Sequence, residues 1–76
     1  RDVVLRIDIK DISKDLVNEI LALVSQKVGK HSLLLNLVDS SNIYEVDLLS
    51  RKVKISLDKD FTKHIDSLKE VVMRIK

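Results

Sequence analysis

The chain has no cysteine, no proline and no tryptophan, and it holds one glycine, one tyrosine and one phenylalanine. Each shortage excludes something. Without cysteine there are no disulfides, thiolate zinc sites, cysteine nucleophiles or iron–sulfur clusters. That leaves the compartment unmarked and compatible with a reducing cytosol, and a cytoplasmic location is expected. A single glycine builds neither a Walker loop, a dinucleotide loop nor a Gly-x-Ser-x-Gly elbow. It also rules out the Gly-x-x-Gly clamp of KH domains, and two rings are too few for the stacking platform of an RRM. No apolar run approaches the ~18 residues a membrane span needs, and no signal-peptide pattern is present. A net charge of +2 is too weak to define a nucleic-acid binder.

What the chain does have is aliphatic bulk. Valine, isoleucine and leucine total 30 of 76 residues, within a 45% hydrophobic fraction. That is too apolar for a disordered tail. The length fits one small domain spanning residues 1–76. Such a domain buries only about 60% of the surface its unfolded chain exposes, so aliphatic packing alone must hold it. The first residue is Arg1 rather than methionine, which reads as a piece of something longer.

Hydrophobic periodicity predicts the elements. Val3 to Ile9 alternates as a strand, with Leu5, Ile7 and Ile9 on one face and Arg6 and Asp8 on the other. Ser13 caps a helix, with Asp15 in its first turn and Ile12 placed to staple against Val17. Leu16, Ile20, Leu23 and Lys27 form one row, with Val17, Leu21, Val24 and Val28 beside it. The resulting stripe is wide, as for a helix lying flat on a sheet. Gly29 is expected to end that helix in the left-handed conformation.

A Leu-rich strand follows from Ser32 to Val38, then Asp39-Ser40-Ser41-Asn42 as turn chemistry. Ile43 to Leu49 alternates again, with Tyr44, Val46 and Leu48 toward the core, which makes a hairpin. Ser50-Arg51-Lys52 is a weaker turn, after which Val53, Ile55 and Leu57 form a further strand. Asp58 caps a last helix, where Phe61, Ile65, Leu68, Val72 and Ile75 repeat at spacings of 4, 3, 4 and 3. Glu70 and Arg74 would pair along it. The order is β-α-β-β-β-α. The fold class is α+β, a two-layer sandwich with both helices packed on one face of a small mixed sheet.

Reactive constellations are scarce. His31 and His64 stand apart from any nucleophile and read as solvent-facing. Asp58 and Asp60 resemble a Mg²⁺ carboxylate pair only superficially, because acids at a helix start are explained by capping and dipole. No catalytic residue, cofactor site or metal site is assigned. Arg51, Lys52 and Lys54 form the densest basic spot, a candidate phosphate contact or simply a solvated hairpin edge. Val4, Leu34, Ile43 and Leu49 fall opposite the faces assigned to the core. They mark either a partner face or strands buried on both sides.

Taken together, these stretches resemble the C-terminal end of the bacterial replicative DNA polymerase III alpha subunit. The resemblance is carried by Val3-Val4-Leu5-Arg6-Ile7, by Val28-Gly29-Lys30, and by Leu33-Leu34-Leu35-Asn36-Leu37. It continues through Tyr44-Glu45-Val46-Asp47-Leu48-Leu49, Val53-Lys54-Ile55-Ser56 and Asp58-Lys59-Asp60-Phe61. It implies a C-terminal fragment of a larger multidomain subunit, a DNA-directed DNA polymerase that uses Mg²⁺ on palm carboxylates far upstream. It further implies a non-catalytic docking domain that engages the tau subunit of the clamp loader. The competing expectation is an accessory nucleic-acid-binding module that uses the basic hairpin.

Overall fold

A computed structural model describes residues 2–26 and 28–76, and the side-chain surroundings of these apart from 28 and 49–53. Strand β1 (Asp2–Asp8) leads through a short 3-10 turn (Ile9–Asp11) into helix α1 (Lys14–Gln26). A long hairpin of β2 (Val28–Asp39) and β3 (Tyr44–Ile55) follows, then helix α2 (Lys59–Ser67) and strand β4 (Val71–Ile75). The sheet order is β3-β2-β1-β4, with β1 parallel to β2 and the other two pairings antiparallel. The parallel pair needs the α1 crossover, because a tight turn cannot join parallel neighbours.

The core is aliphatic and lies between the sheet and both helices. Val3, Leu5 and Ile7 of β1, Leu33 of β2 and Val71 of β4 meet Leu16, Ile20, Leu23 and Val24 of α1. Phe61 and Ile65 of α2, with Leu68 and Ile55, complete the same cluster. Both helices therefore cover one face of a mixed sheet, which is the α+β two-layer class expected from the sequence. Both helix starts are capped as their residues predict. The Leu16 N–H donates to Ser13 Oγ at 3.1 Å, and the Phe61 N–H donates to Asp58 Oδ1 at 2.8 Å. Each cap satisfies a backbone donor that the helix leaves unpaired.

Three details of the expected order are corrected. The helical spacing after Phe61 continues only to Leu68, which closes α2 by donating its N–H to the Ile65 carbonyl. Lys69 and Glu70 turn, and Val71–Ile75 become a strand rather than helix. The cause is tertiary: β1 is the central strand, and its edge away from β2 must be hydrogen-bonded. The β-branched Val71-Val72 start suits that role, and Glu70 and Arg74 no longer share a helix.

Ser50-Arg51-Lys52 is not a turn. Strand β3 runs through it, and the extra residues appear as a register shift between Ser32 and Leu33. The strand expected at Val53–Leu57 is thus the end of β3.

Gly29 is not a helix cap. It lies in β2, and its φ is not positive. A Cβ there would stand 2.5 Å from the Ile55 carbonyl oxygen and from Ser56 Cα. Close passage of the β3 end is the reason for glycine at this position.

The turn between β2 and β3 matches its sequence. Asp39 Oδ1 accepts the N–H groups of Ser41 (3.1 Å) and Asn42 (3.3 Å), an Asx arrangement. Ile43 closes it at φ 57°, in the left-handed region.

Candidate docking surface

The helices are too short to cover the sheet. With a rise of about 1.5 Å per residue, a helix as short as α2 reaches only about 13 Å, and it sits against β4. Helix α1 packs Leu16, Ile20, Leu23 and Val24 inward, while the outer row of its stripe, Val17 and Leu21, stays exposed. Between that row and the hairpin runs a groove of about 260 Å³. Ile12, Val17 and Leu21 form one wall, Ile7, Leu35 and Leu37 lie along the sheet side, and no polar surface lines it.

A second hollow of about 250 Å³ continues from Leu37 to Ile9, Asp39, Tyr44 and Val46. Register places Tyr44, Val46 and Leu48 opposite Asp39, Leu37 and Leu35, hence on the helix-covered face of the sheet. They are not among the residues packed against the core cluster, and they remain 70%, 53% and 48% exposed. These residues were expected in the core by alternation. The face is as expected, but the cover is absent. Both hollows and the strand side chains make one continuous apolar tract.

The opposite face of the sheet has a different character. Val4 and Leu34 are neighbours in register and are buried, with Arg74 and Lys76 beside Val4. Ile43, at the hairpin tip, is 92% exposed. Register sets Leu49 opposite Leu34, while the Leu49 side chain lies outside the described residues. On the same side Asn36 is buried, and its Nδ2 donates to Glu45 Oε1 (2.8 Å) and Asp47 Oδ1 (2.5 Å). Its Oδ1 has no partner among the described residues.

Of the basic cluster, Lys54 Nζ donates to Ser32 Oγ at 2.6 Å across the strand pair. The Arg51 and Lys52 side chains lie outside the described residues. His64 Nε2 meets Glu19 Oε1 at 3.2 Å, an exposed link between the two helices. Asp8 accepts from Ser40 Oγ (2.6 Å) and from the Lys10 N–H (3.0 Å). The Ser40 hydroxyl, with the Lys10 amide second, holds the Asp8 carboxyl below its ordinary pKa. Among the described residues no three histidine or carboxylate side chains gather as a metal site. No helix among them is long and apolar enough to cross a membrane.

The family model for the DNA polymerase III alpha subunit, C-terminal domain, matches residues 3–76. The chain belongs to that family, as its strand and helix residues suggested. No curated protein matches it significantly.

Proposed function

Taking membership in the C-terminal domain family of the DNA polymerase III alpha subunit as the premise, we propose that this domain is a non-catalytic docking module. It binds the tau subunit of the clamp loader during DNA replication and takes no part in nucleotidyl transfer itself. The observation that carries this reading is the uncovered apolar tract of Val17, Leu21, Leu37, Tyr44, Val46 and Leu48. Apolar surface of that continuity on a small domain has a covering partner as its usual explanation. A side chain such as leucine gains about 1.5–3 kcal/mol when fully buried.

The test is a binding titration between the intact polymerase subunit and the clamp-loader tau subunit. Val17→Asp and Leu21→Asp change exposed side chains, so the domain should still fold, while affinity should drop about 10–100-fold. Unchanged affinity in both variants would refute the reading. So would single-stranded DNA binding tighter than about micromolar at physiological salt that is lost on Lys52→Glu with Lys54→Glu. That outcome would favour a nucleic-acid-binding module.

A further inference from the structure

Strand β3 ends the sheet, and its outer edge has no strand neighbour among the described residues. From Tyr44 to Ser50 it keeps an uninterrupted register with β2, an edge of roughly 23 Å at about 3.3 Å per residue. Edges of this length are ordinarily shortened, bulged or covered, because their outward N–H and C=O groups recruit other strands. Here the irregularity comes only after Ser50, so the regular part stays open.

The side chains of that stretch are sorted by sign. Tyr44, Val46 and Leu48 are apolar and exposed on the helix-bearing face. Glu45 and Asp47 stand on the other face, both exposed and both fixed by the amide of Asn36. Asn36 is neutral, so it orients the two carboxylates without cancelling their charge. It engages one oxygen of each, which leaves the second oxygen of each carboxylate for another donor. An added strand places its alternate side chains directly beside those of β3. One face of such a strand must therefore be apolar, and the other is selected for positive charge.

We propose that the outer edge of β3 accepts an extended protein segment as a fifth strand, in which apolar and basic side chains alternate. Apolar residues lie beside Tyr44, Val46 and Leu48, and lysine or arginine lies beside Glu45 and Asp47. Backbone hydrogen bonds supply affinity, and alternating side chains supply specificity. The inference rests on the docking reading for the class of partner, a protein. It adds the conformation and charge pattern of the bound segment.

The probes are two labelled synthetic peptides, one alternating valine with lysine and one alternating valine with glutamate. They are titrated against the intact polymerase subunit at physiological ionic strength. The lysine peptide should bind about tenfold more tightly, from two favourable cross-strand charge pairs. It should also slow amide exchange within residues 44–48. Glu45→Lys with Asp47→Lys should invert the order of the peptides, a gain of binding that unfolding cannot imitate. If that variant does not fold, the wild-type preference and exchange pattern decide alone. Equal affinities, or a lysine preference that survives charge reversal, would overturn the proposal.

The same variant is also titrated with the clamp-loader subunit. If Leu21→Asp abolishes that complex and the charge reversal leaves it untouched, the docking reading holds and the edge inference fails. If the clamp-loader subunit does not bind at all while the peptides behave as expected, the docking reading fails and the edge inference stands.

Discussion

Replacing Gly29 by alanine tests how the end of the hairpin is built. In most strands this change is mildly favourable, because the unfolded chain loses about 0.4–1 kcal/mol of conformational freedom. Here the added methyl would lie 2.5 Å from the Ile55 oxygen, 2.5 Å from Ser56 Cα and 2.6 Å from Ser56 N. Ordinary contact begins near 3.4 Å, so the backbone must retreat by roughly 0.9 Å. All three atoms are main chain, so no side-chain rotation can relieve the clash. Ile55 is fully buried in the core cluster, and moving its backbone disturbs the packing of Phe61 and Ile65.

Overpacking of this kind costs about 1–3 kcal/mol, and after the unfolded-state gain the net loss should be about 1–2 kcal/mol. With an m-value near 1 kcal/mol per molar urea for so small a domain, the midpoint should fall by about 1–2 M at unchanged slope. Equilibrium urea unfolding followed by circular dichroism reads this directly. A neutral or stabilised alanine variant would refute the close approach and return Gly29 to an ordinary strand or cap position.

Three further outcomes follow from other parts of the fold. Ile65→Ala and Leu68→Ala each remove buried methylenes from the α2 face and should cost roughly 2–5 kcal/mol. Thermal melts showing no loss in either would mean that α2 is not docked. Ile43→Asn should raise stability by about 1 kcal/mol, because asparagine tolerates the left-handed backbone that isoleucine occupies at φ 57°. A variant that destabilises would count against the turn geometry. Finally, the Asp8 carboxyl is held below its ordinary pKa of 3.8, chiefly by Ser40. Its stabilising contribution is therefore present above that value and is lost as pH falls through the depressed one. Ser40→Ala should raise the Asp8 titration midpoint in an NMR titration and shrink this acid-side dependence, and an unmoved midpoint would disprove the assignment.

Local chemistry was legible in the sequence wherever a short segment decides its own conformation. Ser13 and Asp58 cap their helices, Asp39 organises its turn, and the odd residues of β1 face the core. The errors arose where distant backbone decides. Leu68 and Val72 fit a helical period, yet β1 needed a partner on its second edge, and Val71–Ile75 supplied it. Gly29 looked like a helix end because nothing local reveals that Ile55 and Ser56 pass over it. The docking tract was half visible. Alternation placed Tyr44, Val46 and Leu48 on the correct face, but their exposure depends on how far the helices reach. A shorter α2 was the missing signal, and the β-branched Val71-Val72 pair was the clue to it. Alternation also set Glu45 and Asp47 together on the other face, but their shared contact with Asn36 arises only through strand register.

The most direct test of the account is hydroxyl-radical footprinting of the intact polymerase subunit, alone and with the clamp-loader tau subunit. Tyr44, Val46, Leu48, Val17 and Leu21 are exposed in the free domain and should lose reactivity together on complex formation. If they remain reactive while protection falls elsewhere on the chain, the apolar tract is not the docking surface.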